Sequence, residues 1–199
     1  MHLVPKPLIL PSQKVFKNLK LLTEDGWLIK TMEATQEQET PFFQQAMEDN
    51  VCFGCGHDNH EGLKIKSHWE GEESVCVWES QEKYNGWKGI MNGGIIATII
   101  DCHTMATATM QAYKDEGNRA WDSQPEYRYA TGTMNIKYLK PTPNDIPVKL
   151  VAKVIEVKGR KTTMTCALWS NDTKTAEAEV VAIRVYDSSQ QKDNNPFKG

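Results

Sequence analysis

Residues 89–106 carry the clearest chemical signal in the chain and read G-I-M-N-G-G-I-I-A-T-I-I-D-C-H-T-M-A. Two glycines, Gly93 and Gly94, open an apolar helical segment that contains one carboxylate, Asp101. Because an ionised carboxylate is costly to bury, proteins place one in such a segment mainly where proton transfer or a fixed polar contact is required. The glycine N–H groups at a helix start lack intrahelical partners and lie on the positive end of the helix dipole. The segment therefore combines a candidate acid-base group with a candidate site for negative charge.

Both features also have structural interpretations. Asp101 could cap a neighbouring N–H or pair with a partner chain, and the glycines could serve close helix packing. Cys102 and His103 directly follow Asp101 and suggest a Cys-His nucleophile, but adjacent helical residues point about 100° apart and do not face one another. We interpret Cys102 as a buried core residue and His103 as a hydrogen-bonded one.

These groups must be positioned by a helix from about 93 to 113, which is apolar around nearly its whole circumference. Alternating or apolar runs predict strands at 63–69, 74–78, 129–139, 147–157, 162–169 and 176–186. Shorter helices are predicted at 12–22 and 42–48, and the loop 114–127 is a candidate lid or dimer contact. One long buried helix with several strands indicates an α+β architecture in which a largely antiparallel sheet wraps the helix.

The chain of 199 residues divides into an N-terminal helical extension (1–50), a main domain (51–187) and a polar C-terminal tail (188–199). A net charge of −3 with interspersed lysines and arginines gives no footprint for nucleic acid. We find neither an apolar run of membrane-spanning length nor a signal peptide, and therefore expect a soluble, cytoplasmic protein without a membrane partner. Five cysteines, an odd number, argue against a disulfide framework and agree with a reducing compartment.

Three motifs occur together in one order. Residues 52–63 read C-F-G-C-G-H-D-N-H-E-G-L, residues 89–94 read G-I-M-N-G-G, and residues 134–141 read M-N-I-K-Y-L-K-P. In order and spacing they resemble the hotdog-fold acyl-CoA thioesterases, in particular the group related to the phenylacetate-pathway thioesterase. The resemblance covers roughly residues 50–187 and implies the hotdog fold, an antiparallel sheet wrapped around a long central helix.

The resemblance implies hydrolysis of an acyl- or aryl-CoA thioester to the free acid and coenzyme A. In that chemistry the Gly93 N–H polarises the thioester carbonyl, and Asn92 helps to place it. Asp101 acts as general base toward water or as a nucleophile that forms an anhydride, alternatives that the sequence leaves open. Thr131 corresponds to the family's Ser or Thr that holds the water.

Asp101 lies about 12 Å along the helix from its N-terminus, too far to share one carbonyl easily with Gly93. In the family the Asp of one protomer faces the Gly-Gly turn of the other. The resemblance therefore implies a homodimer, or a dimer of dimers, with composite sites.

Four residues are assigned to substrate binding: Gly94, Asn85, Met91 and Arg160. Asn85 lies near the family's upstream carbonyl-binding residue, offset by about one position. Arg160 belongs to the basic turn 158–161, which is either a solvated hairpin turn or a contact for the coenzyme A phosphates. The acyl group is not readable from the sequence, although the apolar helix and six tryptophans suit an aryl or medium-chain acyl moiety.

One position departs from the family, whose usual His is Asn92 here. Asn can donate a hydrogen bond but cannot shuttle a proton, so this residue cannot be an acid or base. The change keeps a non-catalytic acyl-CoA-binding protein as an alternative, and it argues against a hotdog dehydratase.

We assign no metal ligand and no cofactor beyond the coenzyme A of the substrate. The alternative is a zinc site in the spacing C-x-x-C-x-H-x-x-H, formed by Cys52, Cys55, His57 and His60. The span is tight and matches the family's loop lead-in, which favours a loop without metal.

Overall fold

A computed structural model describes residues 19–24, 27–32, 41–47 and 49–190, and the account below concerns these residues. One helix, α1 (Gly93–Asp115), packs against a six-stranded antiparallel sheet. The sheet consists of β3 (His68–Glu70), β4 (Glu73–Trp78), β7 (Tyr127–Tyr138), β8 (Val148–Lys158), β9 (Lys161–Ser170) and β10 (Thr173–Asp187). Two short strands, β5 (Asn85–Trp87) and β6 (Ile90–Met91), pair antiparallel just before the helix. The predicted α+β architecture is confirmed.

The sheet has the strand order β3-β4-β8-β9-β10-β7, so β7 is an edge strand among the described elements. Side chains alternate between the two faces of a strand, and most of the buried apolar positions of the central strands contribute to one core with α1. That core includes Leu150 and Ala152 of β8, Cys166 and Leu168 of β9, and Ala178 of β10. The alternating burial in the strands and the burial of most of the helix show that one face of the sheet packs against α1.

His103 is fully buried in the middle of α1, as the hydrogen-bonded interpretation predicts. Its Nδ1 lies 2.9 Å from Ser67 Oγ, and its Nε2 lies 3.2 Å from the carbonyl oxygen of Ser74. Burial lowers the pKa of His103 to about 4, so the ring is neutral near pH 7. Cys102 is also buried, and the two side chains do not form a catalytic pair.

The predicted strand at 63–69 is largely wrong. Only His68–Glu70 pairs as a strand, because Lys64 has a φ of 57°, which no β-strand accommodates. The alternation nevertheless marks buried positions, since Leu63 and Ile65 are 7% and 1% exposed. Their N–H groups donate instead to the carbonyl oxygens of Phe53 and Gly54 at 2.7 and 3.3 Å, which ties this segment to the loop before it.

The predicted helix at 42–48 is a single 3₁₀ turn, Phe43–Ala46. Hydrogen bonds to Ser67 hold the turn in place, with Phe43 N donating to Ser67 O at 2.8 Å and Gln44 Nε2 to Ser67 Oγ at 3.1 Å. Phe43 is also fully buried and packs in a cluster with Ala106 and Met110 of α1. Glu48 lies outside the described residues.

The N-terminal helix predicted at 12–22 is contradicted over its last four residues. Leu19–Glu24 (β1) and Trp27–Met32 (β2) pair as an antiparallel hairpin, and residues 12–18 lie outside the described part of the chain. In a run as short as the six residues LKLLTE, the apolar spacing fits both the period of a helix and the period of a strand. Pairing with the neighbouring strand decides between the two. Contacts within the chain divide it between Thr40 and Pro41, and the predicted boundary near residue 50 stays a prediction. Most of the predicted polar tail, from 191 onward, also lies outside the described residues.

Candidate active site

Asp101 is held by the neighbouring strand. The hydroxyl of Thr131, on β7, donates a hydrogen bond to Asp101 Oδ1. Burial raises the pKa of Asp101 above the usual range of an aspartate, while the hydrogen bond from Thr131 opposes that rise and the nearby Cys52 thiolate adds to it. A half-buried carboxylate with a raised pKa and one oxygen already bonded is suited to accept a proton at its other oxygen.

A bulge in β7 lies directly beside Thr131. The register with β10 shifts between Val181 and Ala182, so that Thr133 and Thr131 pair with consecutive residues and Gly132 is the extra one. A Cβ at Gly132 would lie 2.9 Å from Ile183 Cγ1, so only glycine fits there without a shift. Bulges re-aim side chains next to functional sites, and this one sets the direction of Thr131. A glycine inside a strand pattern was the sequence signal for it.

At the start of α1, one of the two glycine N–H groups that were predicted to be unpaired, that of Gly94, has a hydrogen-bond partner. Asn92 is the N-cap, and its Oδ1 accepts a hydrogen bond from Gly94 N at 2.7 Å. The Gly94 N–H is therefore paired and is not a free donor for a substrate. Because Oδ1 faces this N–H, the exposed amide group of Asn92 retains its two Nδ2 donors for another partner.

The Gly93 N–H has no hydrogen-bond acceptor in the described part of the chain. Tyr138, at the end of β7, donates its hydroxyl to the Gly93 carbonyl oxygen at 2.9 Å. A Cβ at Gly93 would lie 3.5 Å from the Tyr138 ring. Tyr138 thus fixes the first turn of α1, a positioning role that sequence reasoning missed, although the residue lies in the quoted motif 134–141.

A cavity of about 360 Å³ includes Asp101 in its wall. Its apolar lining comes from Met47, Val51, Met105 and Tyr129, and its polar lining includes Asp49 and Asn50. In the described residues no tryptophan lines this cavity, contrary to the role suggested for the six tryptophans. The lining arises from the loop before Gly62, from α1 and from β7, which are distant in sequence.

Three of the assigned substrate-binding residues have different surroundings. Asn85 pairs with Met91 between β5 and β6, next to the helix cap, and its buried Oδ1 has no hydrogen-bond partner among the described residues. The Met91 side chain is 4% exposed and belongs to the core. Arg160 is exposed in the β8–β9 turn, where its Nε donates to the carbonyl oxygen of Arg184 at 2.8 Å. Asn85 and Met91 adjoin the helix start, whereas Arg160 lies in a separate turn. The substrate-binding role of each stays a prediction.

The four residues of the alternative zinc site, Cys52, Cys55, His57 and His60, are not brought together as a set. Cys52 and Cys55 lie with Cys102, and the three Sγ atoms are all within 4.8 Å of one another. His57 and His60 are exposed and do not join them. Hydrogen bonds from the Cys102 and Cys55 thiols and from backbone N–H groups hold the pKa of the Cys52 thiol well below its ordinary value. The Cys102 contact links positions 50 residues apart, which sequence spacing does not reveal.

A long helix packed against a large antiparallel sheet is the arrangement of the hotdog fold. Residues 88–177 match the sequence model of the family described as the thioesterase superfamily. The matched segment is somewhat less than half of the chain, and the match supports the resemblance to hotdog thioesterases.

Two curated relatives are similar over about half of the chain. The acyl-coenzyme A thioesterase THEM4 of Rattus norvegicus is 31% identical over 109 residues, which are 55% of this chain and 41% of that protein. THEM4 of Mus musculus is 28% identical over 112 residues, 56% of this chain and 42% of that protein. The chain thus spans about two fifths of the length of these relatives.

Among solved structures, the PaaI protein from the phenylacetic acid degradation operon of E. coli superposes with a TM-score of 0.51. It is 10% identical and covers 63% of this chain and 82% of its own. This likeness shows the shared fold. In the described residues no helix is both long and apolar enough to cross a membrane.

Proposed function

We propose that this protein hydrolyses acyl-coenzyme A thioesters, with Asp101 as general base. The observation that carries the proposal is the half-buried Asp101 carboxylate, bonded to Thr131 in the wall of a cavity. The superfamily match of residues 88–177 and the names of the two THEM4 relatives support the substrate class.

In the proposed reaction Asp101 takes a proton from a water molecule whose oxygen attacks the thioester carbonyl carbon. The negative charge that develops on the carbonyl oxygen is stabilised by the unpaired Gly93 N–H and by Asn92 Nδ2. The C–S bond then breaks, coenzyme A leaves as the thiolate and takes up a proton, and the free acid remains. Asn92 serves here as a hydrogen-bond donor, which needs no proton shuttle and makes its substitution for His compatible with turnover.

Two protomers are needed to assemble this site. Asp101 is eight residues after Gly93, about 12 Å along the helix, so both cannot contact one carbonyl within a protomer. The exposed Thr131 lies on the edge strand β7, whose outer backbone groups are available for pairing among the described elements. Pairing of β7 with its copy would place the Asp101 side of one protomer near a second chain. We therefore propose a homodimer with composite sites, alone or within a dimer of dimers.

The acyl group occupies the Asp101 cavity in this proposal. Its methionines, Met47 and Met105, adapt to different apolar shapes, and Tyr129 offers an aromatic wall. An aryl or medium-chain acyl group suits a cavity of about 360 Å³ better than a long chain. We also propose that the protein is related to the phenylacetate-pathway group. Its five free thiols favour a reducing, cytoplasmic setting, which is part of the same proposal.

The test is release of free thiol from short, medium, long and aryl acyl-CoA esters. Turnover of one class would support the proposal and identify the acyl group. Ligand-dependent stabilisation without thiol release would support the non-catalytic binding protein, the second candidate, which the Asn at position 92 favours. A change in acyl absorbance without thiol would indicate a dehydratase.

A single-turnover experiment can distinguish whether Asp101 acts as a general base or as a nucleophile. Hydrolysis in ¹⁸O-water at an excess of enzyme puts the label in the product acid when water attacks directly. An anhydride intermediate, in contrast, transfers label to the Asp101 carboxylate when water attacks the aspartyl carbonyl, and peptide mass spectrometry detects it. Label in Asp101 would contradict the general-base mechanism.

A further inference from the structure

The three cysteines beside Asp101 have no part in the proposed hydrolysis, yet they converge from two separate elements. Cys52 and Cys55 belong to the loop before Gly62, and Cys102 belongs to α1. The sulfur atoms of Cys52 and Cys102 are 3.8 Å apart, and all three are within 4.8 Å of one another. The other two cysteines, Cys76 and Cys166, are buried in the core of the sheet and lie outside this cluster.

These separations are those of a thiolate metal site. Zinc binds thiolate sulfur at about 2.3 Å with tetrahedral angles, which places two ligand sulfurs about 3.8 Å apart. The Cys52–Cys102 separation of 3.8 Å therefore already equals that of two zinc ligands, and the Cys55 sulfur lies within 4.8 Å of both of these sulfur atoms.

The loop is shaped for this arrangement. Gly54 N donates to Cys52 Sγ at 3.4 Å, and Asn50 Nδ2 donates to Cys55 Sγ at 3.8 Å. Such outer hydrogen bonds to ligand atoms orient them and stabilise the charge of a thiolate. A Cβ at Gly54 would lie 2.4 Å from Cys102 Sγ, so glycine is required for the loop to approach the helix cysteine.

The cluster is also reachable. Cys52, Cys55 and Cys102 all line the cavity of about 360 Å³ that Asp101 lines, and Cys52 and Cys55 are only partly buried. An ion held by three thiolates would keep a fourth position, for which the cavity offers room for a water molecule. With water as the fourth ligand, the ion needs no fourth protein side chain to complete tetrahedral coordination.

We propose that Cys52, Cys55 and Cys102 bind one Zn²⁺ ion through their three thiolates. The ion fastens the loop to α1 and thereby fixes the wall of the cavity next to Asp101. This site does not depend on the thioesterase reaction, because its ligands take no part in that reaction.

Metal binding is measured without substrate. The protein is purified with a non-chelating reductant and without chelator. Its bound zinc is then measured by inductively coupled plasma mass spectrometry. Metal-free protein is then titrated with Zn²⁺ against a chromophoric chelator, and Co²⁺ substitution is followed through its thiolate charge-transfer absorbance. We expect one zinc per chain and a cobalt spectrum of tetrahedral thiolate coordination.

Single cysteine variants test whether zinc binding depends on these three cysteines or on any thiol of the protein. Cys52→Ser, Cys55→Ser and Cys102→Ser should each weaken zinc affinity by more than about 100-fold, beyond the effect of losing an outer hydrogen bond. Cys166→Ser, which removes a buried thiol outside the cluster, should keep wild-type affinity. The partly exposed Cys52 provides the variant with least risk to folding, and circular dichroism of each metal-free variant establishes that it is folded.

Failure to take up zinc in wild-type protein, or equal loss of affinity in Cys166→Ser, would overturn the proposal. Thiol release from acyl-CoA is measured separately, on metal-loaded and metal-free protein. A thioesterase without zinc affinity would refute the metal site alone, and a zinc protein without thiol release would refute the proposed function alone.

Discussion

Thr131 and Asp101 are 30 residues apart in sequence, and the hydroxyl of Thr131 donates directly to the Asp101 carboxylate. The contact joins the edge strand of the sheet to the central helix. It leaves one carboxylate oxygen for chemistry and stabilises the ionised form, while burial favours the neutral form. The balance of these two effects determines the pH at which Asp101 is a base.

The first prediction concerns pH. A general base works only when deprotonated, and burial raises the pKa of Asp101, so kcat/KM should rise with pH through a pKa above the ordinary value of about 3.9. Thr131→Val removes a hydrogen bond that favours the ionised carboxylate and should move this acid limb to higher pH. Thr133→Val, on the same strand, is the control and should leave the limb in place. An unchanged limb in Thr131→Val would show that the hydroxyl does not act on the base.

The N-cap gives the second prediction. Asn92→Ala removes the hydrogen bond to Gly94 N and should lower the free energy of unfolding by about 1 kcal/mol, measured by denaturant titration. Asn92→Asp keeps a capping oxygen and should retain stability. It should nevertheless reduce kcat, because it loses the amide donor and puts a negative charge where the oxyanion develops. Equal turnover in Asn92→Asp and wild type would remove Asn92 from the oxyanion site.

His103 links stability to pH. Its folded-state pKa of about 4 is below the unfolded value of about 6.5, so its contribution is fully present above pH 6.5 and is lost as pH falls toward 4. Wild-type protein should lose about 2 kcal/mol of unfolding free energy from this group between pH 7 and pH 5. His103→Gln should show a flatter dependence on pH, whatever its absolute stability. The exposed His60→Gln should keep the wild-type slope, and a wild-type slope in His103→Gln would contradict the assignment.

Mixed dimers test the composite site. Asp101→Asn and Asn92→Asp protomers, each of low activity alone, are unfolded, mixed in equal amounts and refolded. Half of the dimers are then mixed, and each mixed dimer contains one site with both native residues, so activity should recover to about one quarter of wild type. Mixing Asp101→Asn with an Asp101→Asn, Asn92→Asp double variant should recover nothing. Absence of recovery in the first mixture, with mixed dimers demonstrated by native mass spectrometry, would mean that one protomer supplies both groups.

The sequence predicts the long helix and the four long strands well, because their periodicities extend over ten or more residues. It fails where one backbone angle or one pairing decides the structure. The positive φ of Lys64 ends the strand predicted there, and β5 and β6 are too short to show a period. At 19–24 the apolar spacing suits both a helix and a strand, and pairing with 27–32 selects the strand.

Some features of the candidate site can be recognised in the sequence, whereas others are visible only in the fold. Asp101 stands out because a carboxylate in an apolar helix is unusual, and Asn92 in front of two glycines is a recognisable N-cap that uses the Gly94 N–H. The meeting of Asp101 with Thr131, of Gly93 with Tyr138, and of Cys102 with the loop cysteines depends on how the sheet wraps the helix. Such contacts between distant segments have no local signature in a single sequence.

The central claim is that Asp101 is the base of an acyl-CoA thioesterase. Its most direct test is thiol release by wild type, Asp101→Asn and Asp115→Asn on the best substrate of the acyl-CoA panel. Asp115 is on the same helix but exposed, so its variant is a matched control for removing a carboxylate. We predict a loss of kcat on the order of 10²- to 10⁴-fold in Asp101→Asn with an unchanged circular dichroism spectrum, and wild-type turnover in Asp115→Asn. Wild-type turnover in Asp101→Asn would contradict the mechanism.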